Sequence, residues 1–143
     1  MEFVTTSEQE TAALGARLAE RLRPGDVVAL YGYLGAGKTA LVRGMARGLG
    51  IRTGVSSPTF TIVNEYLGPT PLFHFDMYRL AGAEELFEIG WEDYLLRGGI
   101  CVVEWSENVE EAFPPETIRI AIEKTGEDTR RIRVTPPEGR ELL

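Results

Sequence analysis

Val27-Val28-Ala29-Leu30-Tyr31-Gly32-Tyr33-Leu34-Gly35-Ala36-Gly37-Lys38-Thr39 joins an unbroken apolar run to a glycine-rich loop. Apolar residues in succession, without polar alternation, suit a strand covered on both faces. Gly32 to Thr39 then satisfies the pattern G-x-x-x-x-G-K-[ST] at every fixed position. Glycines allow the backbone to turn tightly and aim successive N–H groups inward, forming a nest for anions. Lys38 to Leu49 reads as a helix ending near Gly50, so the positive end of its dipole adds to the nest. The pattern predicts that Gly32, Leu34, Gly35, Ala36, Gly37 and Lys38 cradle the phosphates of a nucleotide, with the Thr39 hydroxyl on Mg²⁺. The plainer alternative is a glycine turn that happens to precede a helix. Chance alone produces the four fixed positions in about one chain in 200 of this length, and the strand and helix on either side reduce that further.

Outward from the loop, Ser7-Glu8-Gln9-Glu10 fits a capping box, and Leu14, Leu18 and Leu22 follow at helical spacing, predicting a helix over 7–22. Phe60–Tyr66 and Leu72–Tyr78 read as strands joined through Gly68-Pro69-Thr70-Pro71, an antiparallel pair. Ala83–Gly90 reads as a short helix that Trp91–Leu96 continues after a break. Ile100–Glu104 is a second buried strand. Thr117–Glu123 and Arg130–Thr135 alternate as half-exposed strands do. The expected fold is therefore α/β: a P-loop NTPase-like three-layer sandwich whose mixed sheet has a parallel core and antiparallel strands. No repeat or linker interrupts residues 1–143, so one domain is expected.

A Mg-nucleotide site needs an acid near the threonine hydroxyl, commonly at the end of a neighbouring buried strand. Glu104 closes the run Ile100-Cys101-Val102-Val103 and is the first candidate, as metal ligand or orienter of the attacking water. Asp76, in His74-Phe75-Asp76-Met77-Tyr78, is the second. His74, Asp76 and Tyr78 share one face of that strand, expected to look toward the nucleotide or a partner, while Phe73, Phe75 and Met77 share the other. A lone histidine such as His74 is more often structural. Ser56-Ser57-Pro58-Thr59 offers hydroxyls that could approach the γ-phosphate, or forms merely a proline-ordered turn. ATP is favoured over GTP, because neither Asn64-Glu65 nor Asn108-Val109 supplies the Asn-Lys-x-Asp motif that reads guanine.

Composition narrows the classes. One cysteine, Cys101, and one histidine exclude a disulfide framework and a cysteine- or histidine-rich metal centre. The net charge is −7, with residues 1–50 at +1, 51–110 at −7 and 111–143 at −1. Such a chain lacks the basic footprint of a protein gripping nucleic acid unaided. No apolar stretch approaches 18 residues and no secretory signal opens the chain, so a soluble, cytoplasmic protein without membrane contact is expected. Glu84-Glu85-Leu86-Phe87-Glu88 through Glu92-Asp93 holds five carboxylates and no basic residue. That is either a solvated helix face or a docking surface for a basic patch.

Taken together, the Walker loop, Ser57-Pro58-Thr59-Phe60-Thr61, Asn64-Glu65-Tyr66, His74-Phe75-Asp76-Met77-Tyr78-Arg79-Leu80 and Glu104-Trp105-Ser106-Glu107 resemble the TsaE family of bacterial tRNA threonylcarbamoyladenosine biosynthesis proteins. The resemblance covers about residues 7–107. It implies an ATPase that works with the TsaB and TsaD proteins, which move a threonylcarbamoyl group onto N6 of the adenosine 3′ of the tRNA anticodon. With it, tRNA is expected to be met indirectly through that complex, without tight independent nucleic-acid binding. By motif position, Lys38 and Thr39 become the phosphate and Mg²⁺ residues, Glu104 the metal-linked carboxylate, and Asp76 a second essential acid. Lys38, Glu104 and Asp76 are thus the expected catalytic set. Tyr33 departs from the acidic residue usual in the family. Of the neighbouring Arg130 and Arg131, Arg131 is assigned to the nucleotide. Two other functions compete: a small-molecule kinase, which normally needs an arginine-bearing lid and a substrate insertion, and a binding module that hardly hydrolyses.

Overall fold

A computed structural model describes residues 1–33, 35–52 and 62–143. Its elements are β1 (Glu2–Thr5), α1 (Glu8–Ala19), β2 (Val27–Tyr31), α2 (Lys38–Gly48), β3 (Val63–Tyr66), β4 (Leu72–Asp76), α3 (Ala83–Glu88), α4 (Trp91–Leu96), β5 (Ile100–Glu104), β6 (Ile118–Lys124) and β7 (Arg130–Thr135). Short 3₁₀ turns at Ser106–Asn108 and Glu110–Ala112 follow β5. The strands form a seven-stranded sheet in the order β1-β7-β6-β2-β5-β4-β3. β6, β2, β5 and β4 run parallel, while β3 on one side and β7 and β1 on the other pair antiparallel. The expected architecture is the observed one.

Strand alternation decides the layers. Val28, Leu30, Ile100, Val102, Ile118 and Ile120 pack with Leu14 and Leu18 of α1 and with Leu41, Val42 and Met45 of α2. Val27, Phe73, Phe75, Cys101 and Val103 point the other way, into a second core with Leu86 and Trp91. β2, β4 and β5 are therefore covered on both faces, as their apolar runs require. Trp91 and Tyr94 stand edge-on to Phe75, with ring centroids 5.2 and 5.1 Å away.

Local signals place the helices. Ser7 Oγ accepts from the Glu10 amide at 3.1 Å, while Glu10 Oε1 accepts from the Thr6 amide at 2.8 Å. This is a capping box shifted by one residue in its return bond. α1 ends at Ala19, short of the expected Leu22, because the chain must turn through Arg23-Pro24-Gly25 into β2. Gly90, at φ 95°, makes the break between α3 and α4. α1 and α2 cross closely enough that a Cβ on Gly44 would lie 1.9 Å from the Ala12 carbonyl oxygen.

Candidate functional site

The carboxyl ends of β2, β4 and β5 open together onto the start of α2, where open α/β sheets place their ligands. A cavity of about 420 Å³ lies there, within the usual range for small-molecule sites. Gly35, Ala36, Gly37, Lys38, Thr39, Asp76 and Glu104 all line it. Gly32 does not line this cavity, although its carbonyl binds Lys38. Leu34 and the stretch Ser56–Thr61 lie outside the described residues.

Gly35 and Gly37 stand at φ 78° and 103°, in the left-handed region that glycine enters without strain. From this turn Lys38 reaches back, donating from Nζ to the Gly32 carbonyl at 2.6 Å. Its ammonium lies 4.4 Å from the Trp105 ring centroid and 3.9 Å from Glu104 Oε1, and the residue is only 5% exposed. Among the described residues, Trp105 is the one non-glycine with a clearly left-handed backbone, at φ 58°. That conformation costs on the order of 1–2 kcal/mol. It ends β5 immediately after Glu104 and lays the indole across Lys38.

β4 and β5 are in register, with Asp76 opposite Glu104 and His74 opposite Val102. Glu104 therefore meets His74 on the helix side of the sheet, where the His74 Nε2 and Glu104 Oε2 atoms are hydrogen-bonded. His74 is fully buried. The expectation for that face is corrected for His74, which is buried and bonded to Glu104 and does not line the cavity, whereas Asp76 on the same face does. Asp76 Oδ1 accepts from the Tyr78 amide at 3.0 Å. Burial pushes the Asp76 carboxyl above the usual carboxylate range, and the neighbouring Glu104 charge adds to this against the lowering effect of the Tyr78 bond.

The arginine assignment also needs correction. Arg131 points to the open face of the sheet, 3.4 Å from Glu2 and 3.8 Å from Glu123, and does not line the cavity. Its neighbour Arg130 does. Arg130 donates from Nε to the Ala36 carbonyl at 2.8 Å and from a terminal nitrogen to the Gly35 carbonyl at 3.3 Å. A nest that aims N–H groups inward turns carbonyls outward, and Arg130 collects two of them. Alternation along β7 shows that the two arginines face opposite ways, but not which one faces the loop. Arg43 lines the cavity, whereas Arg47 and Arg79 do not. Ser7, Glu8 and Thr11 of the α1 start complete the wall, and no local pattern in the sequence could have placed them there.

The donor set fits a Mg-phosphate group. Among the described residues no three His, Cys, Asp or Glu side chains converge to hold a metal alone. Mg²⁺ does not require them, since it binds through one or two protein oxygens and takes the rest from phosphate and water. The Thr39 hydroxyl and the Asp76 and Glu104 carboxylates line the cavity as oxygen donors, with buried Lys38 beside them as a cation for phosphate.

These features define a three-layer α/β protein whose central strand leads through a glycine loop into a helix, with acids from two adjacent strands facing the loop. Residues 5–132 match the family described as "Threonylcarbamoyl adenosine biosynthesis protein TsaE". Over 136 residues the chain is 43% identical to the tRNA threonylcarbamoyladenosine biosynthesis protein TsaE of Bacillus subtilis, covering 94% of this chain and 85% of that one. It is 42% identical over 134 residues to the protein of the same name from Treponema pallidum, covering 94% and 99%. A crystal structure of Bacillus subtilis YdiB superposes with a TM-score of 0.81 at 39% identity, covering 95% of this chain and 84% of that one. The chain belongs to the TsaE family.

Proposed function

We propose that this protein is a Mg²⁺-dependent ATPase serving tRNA threonylcarbamoyladenosine biosynthesis as an accessory subunit, acting with TsaB and TsaD. The observation that carries the reading is the convergence of buried Lys38 with Glu104 and Asp76 at one glycine loop. In this reading the loop amides and Lys38 hold the β- and γ-phosphates, and Arg130 fixes the loop through its Gly35 and Ala36 carbonyls. Thr39 and Glu104 hold Mg²⁺, which when bound neutralises charge on the phosphate oxygens. Asp76, made more basic by burial, is suited to take a proton from the attacking water. The −7 chain meets tRNA through its partners, in the cytoplasm.

Calorimetry with ADP and Mg-ATP tests the site: Lys38→Ala removes the cation aimed at the terminal phosphates and should abolish or sharply weaken binding. Equal affinity in wild type and variant would refute the assignment. Glu104→Ala should impair phosphate release far more than nucleotide affinity, because the loop backbone makes most phosphate contacts. Assaying phosphorylated metabolites alongside free phosphate separates hydrolysis from a kinase reaction.

A further inference from the structure

Glu104 sits between two nitrogens. One carboxylate oxygen is bonded to His74 Nε2, while the other stands 3.9 Å from Lys38 Nζ, beyond hydrogen-bond distance. All three residues are at most 5% exposed. Attraction between a carboxylate and an ammonium steepens as they are withdrawn from water, so direct contact is where this pair would settle unless something held each partner back. The Gly32 carbonyl, at 2.6 Å, holds the ammonium. His74 is placed to hold the carboxylate. Its strand is locked in register beside β5, on the side of β5 opposite β2, the strand whose loop leads to Lys38.

The other ring nitrogen, Nδ1, is buried and has no hydrogen-bond partner among the described residues. A buried N–H without a partner is rarer and costlier than a bare lone pair. The proton of a neutral His74 therefore belongs on Nε2, where it is donated to Glu104. The donor is fixed by its strand and holds one carboxylate oxygen, leaving the other nearer Lys38.

We propose that His74 is a positioning residue that keeps Glu104 from closing onto Lys38, so that the ammonium, held by the Gly32 carbonyl, is not also engaged by the carboxylate when an anion meets it at the glycine loop. The restraint stands on geometry alone; its consequence for ligands rests on the nucleotide reading above.

Two measurements test it. The first is the crystal structure of His74→Leu, which removes the donor but keeps an apolar filler. Lys38 Nζ and Glu104 should come within hydrogen-bond distance; a separation unchanged from wild type overturns the proposal. The second is ADP calorimetry on wild type, His74→Leu, His74→Gln, Glu104→Gln and the His74→Leu/Glu104→Gln double variant. Affinity should fall about 10–100-fold in His74→Leu, as for other residues that orient a ligand-binding group. His74→Gln, which offers an amide N–H near the Nε2 position, should remain close to wild type. The double variant should recover the affinity of Glu104→Gln alone, because the competing charge is gone. A loss that Glu104→Gln does not relieve marks a merely structural histidine and overturns the proposal. If wild type itself does not bind ADP, the nucleotide reading falls and the crystal structure alone decides the role of His74. Should His74→Leu fail to fold, His74→Asn, whose amide is too short to reach Glu104, takes its place with the same outcomes.

Discussion

Cys101 lies in the middle of β5, 1% exposed, and burial pushes its thiol up from 9.0 to about 12. The native protein thus keeps a proton that the unfolded chain releases above pH 9. Stability is present below pH 9 and lost as pH rises toward 12, at about 1.4 kcal/mol for each pH unit of that window. Tyr31, also pushed up to about 12 by burial and its bond to Glu110, steepens the loss above pH 10. Thermal melts of Cys101→Ala should show a small loss that does not vary with pH below 9, and a shallower decline from pH 9 to 11 than wild type. Parallel curves would show that the thiol is not held protonated. Neighbouring Glu104 shows how far sequence reaches at this scale. Its place at the end of an apolar run marked it as a candidate, but its bond to His74 depends on the register of β4 against β5, which neither stretch encodes alone.

Helices α1 and α2 meet through glycine. Gly15 abuts the Leu41 carbonyl, where an added Cβ would lie 2.3 Å away, and Gly44 abuts Ala12 at 1.9 Å. Both obstacles are backbone, which cannot rotate aside. Gly44→Ala would gain about 1 kcal/mol of helix propensity, against an overpacking cost of about 1–3 kcal/mol or more where nothing can yield. Both obstacles being backbone, the cost falls at the upper end of that range, and denaturant unfolding should show a net loss of about 1–2 kcal/mol. Unchanged or raised stability would mean that the helices can separate without penalty. The elements themselves were largely legible, because β5, β7 and the β3–β4 pair announce themselves by apolar runs, alternation and the Gly-Pro-Thr-Pro connection. β1 was not. Glu2–Thr5 is too short to show a period, and it is a strand because β7 offers Arg130–Arg133 as partners across the chain. Short edge strands are defined by their neighbours.

At the scale of the molecule, charge is distributed unevenly: residues 51–110 carry −7, the full net charge of the chain. Glu84, Glu88, Glu92 and Asp93 are exposed on α3 and α4, beside half-exposed Phe87. Complementary charge speeds and orients encounter between proteins. Under the proposed function, the protein alone should release phosphate slowly, and faster with TsaB and TsaD present, since a cation supplied in trans changes phosphoryl-transfer rates by about 10³–10⁵. Steady-state phosphate release, repeated with Glu84, Glu85 and Glu88 changed to Lys, checks this. Rapid turnover indifferent to the partners would end the dependence, and stimulation that survives charge reversal would end the docking face only. Among the described residues no helix is long and apolar enough to cross a membrane.

The grip of Arg130 on the glycine loop spans 94 positions in sequence and bears on how this protein can drift in evolution. Hairpin turns ordinarily accept insertions and deletions freely. The turn between Lys124 and Arg130 cannot, because a slip of one residue in β7 sends each side chain to the opposite face. Arg131 would then be delivered to the loop and Arg130 to the open face of the sheet, with every apolar residue of β7 displaced alongside them. Two adjacent arginines look interchangeable on paper, but a change of one in turn length would exchange their positions and misplace Ile132 and Val134 at once. Length in this turn is expected to be held as tightly as side-chain identity elsewhere.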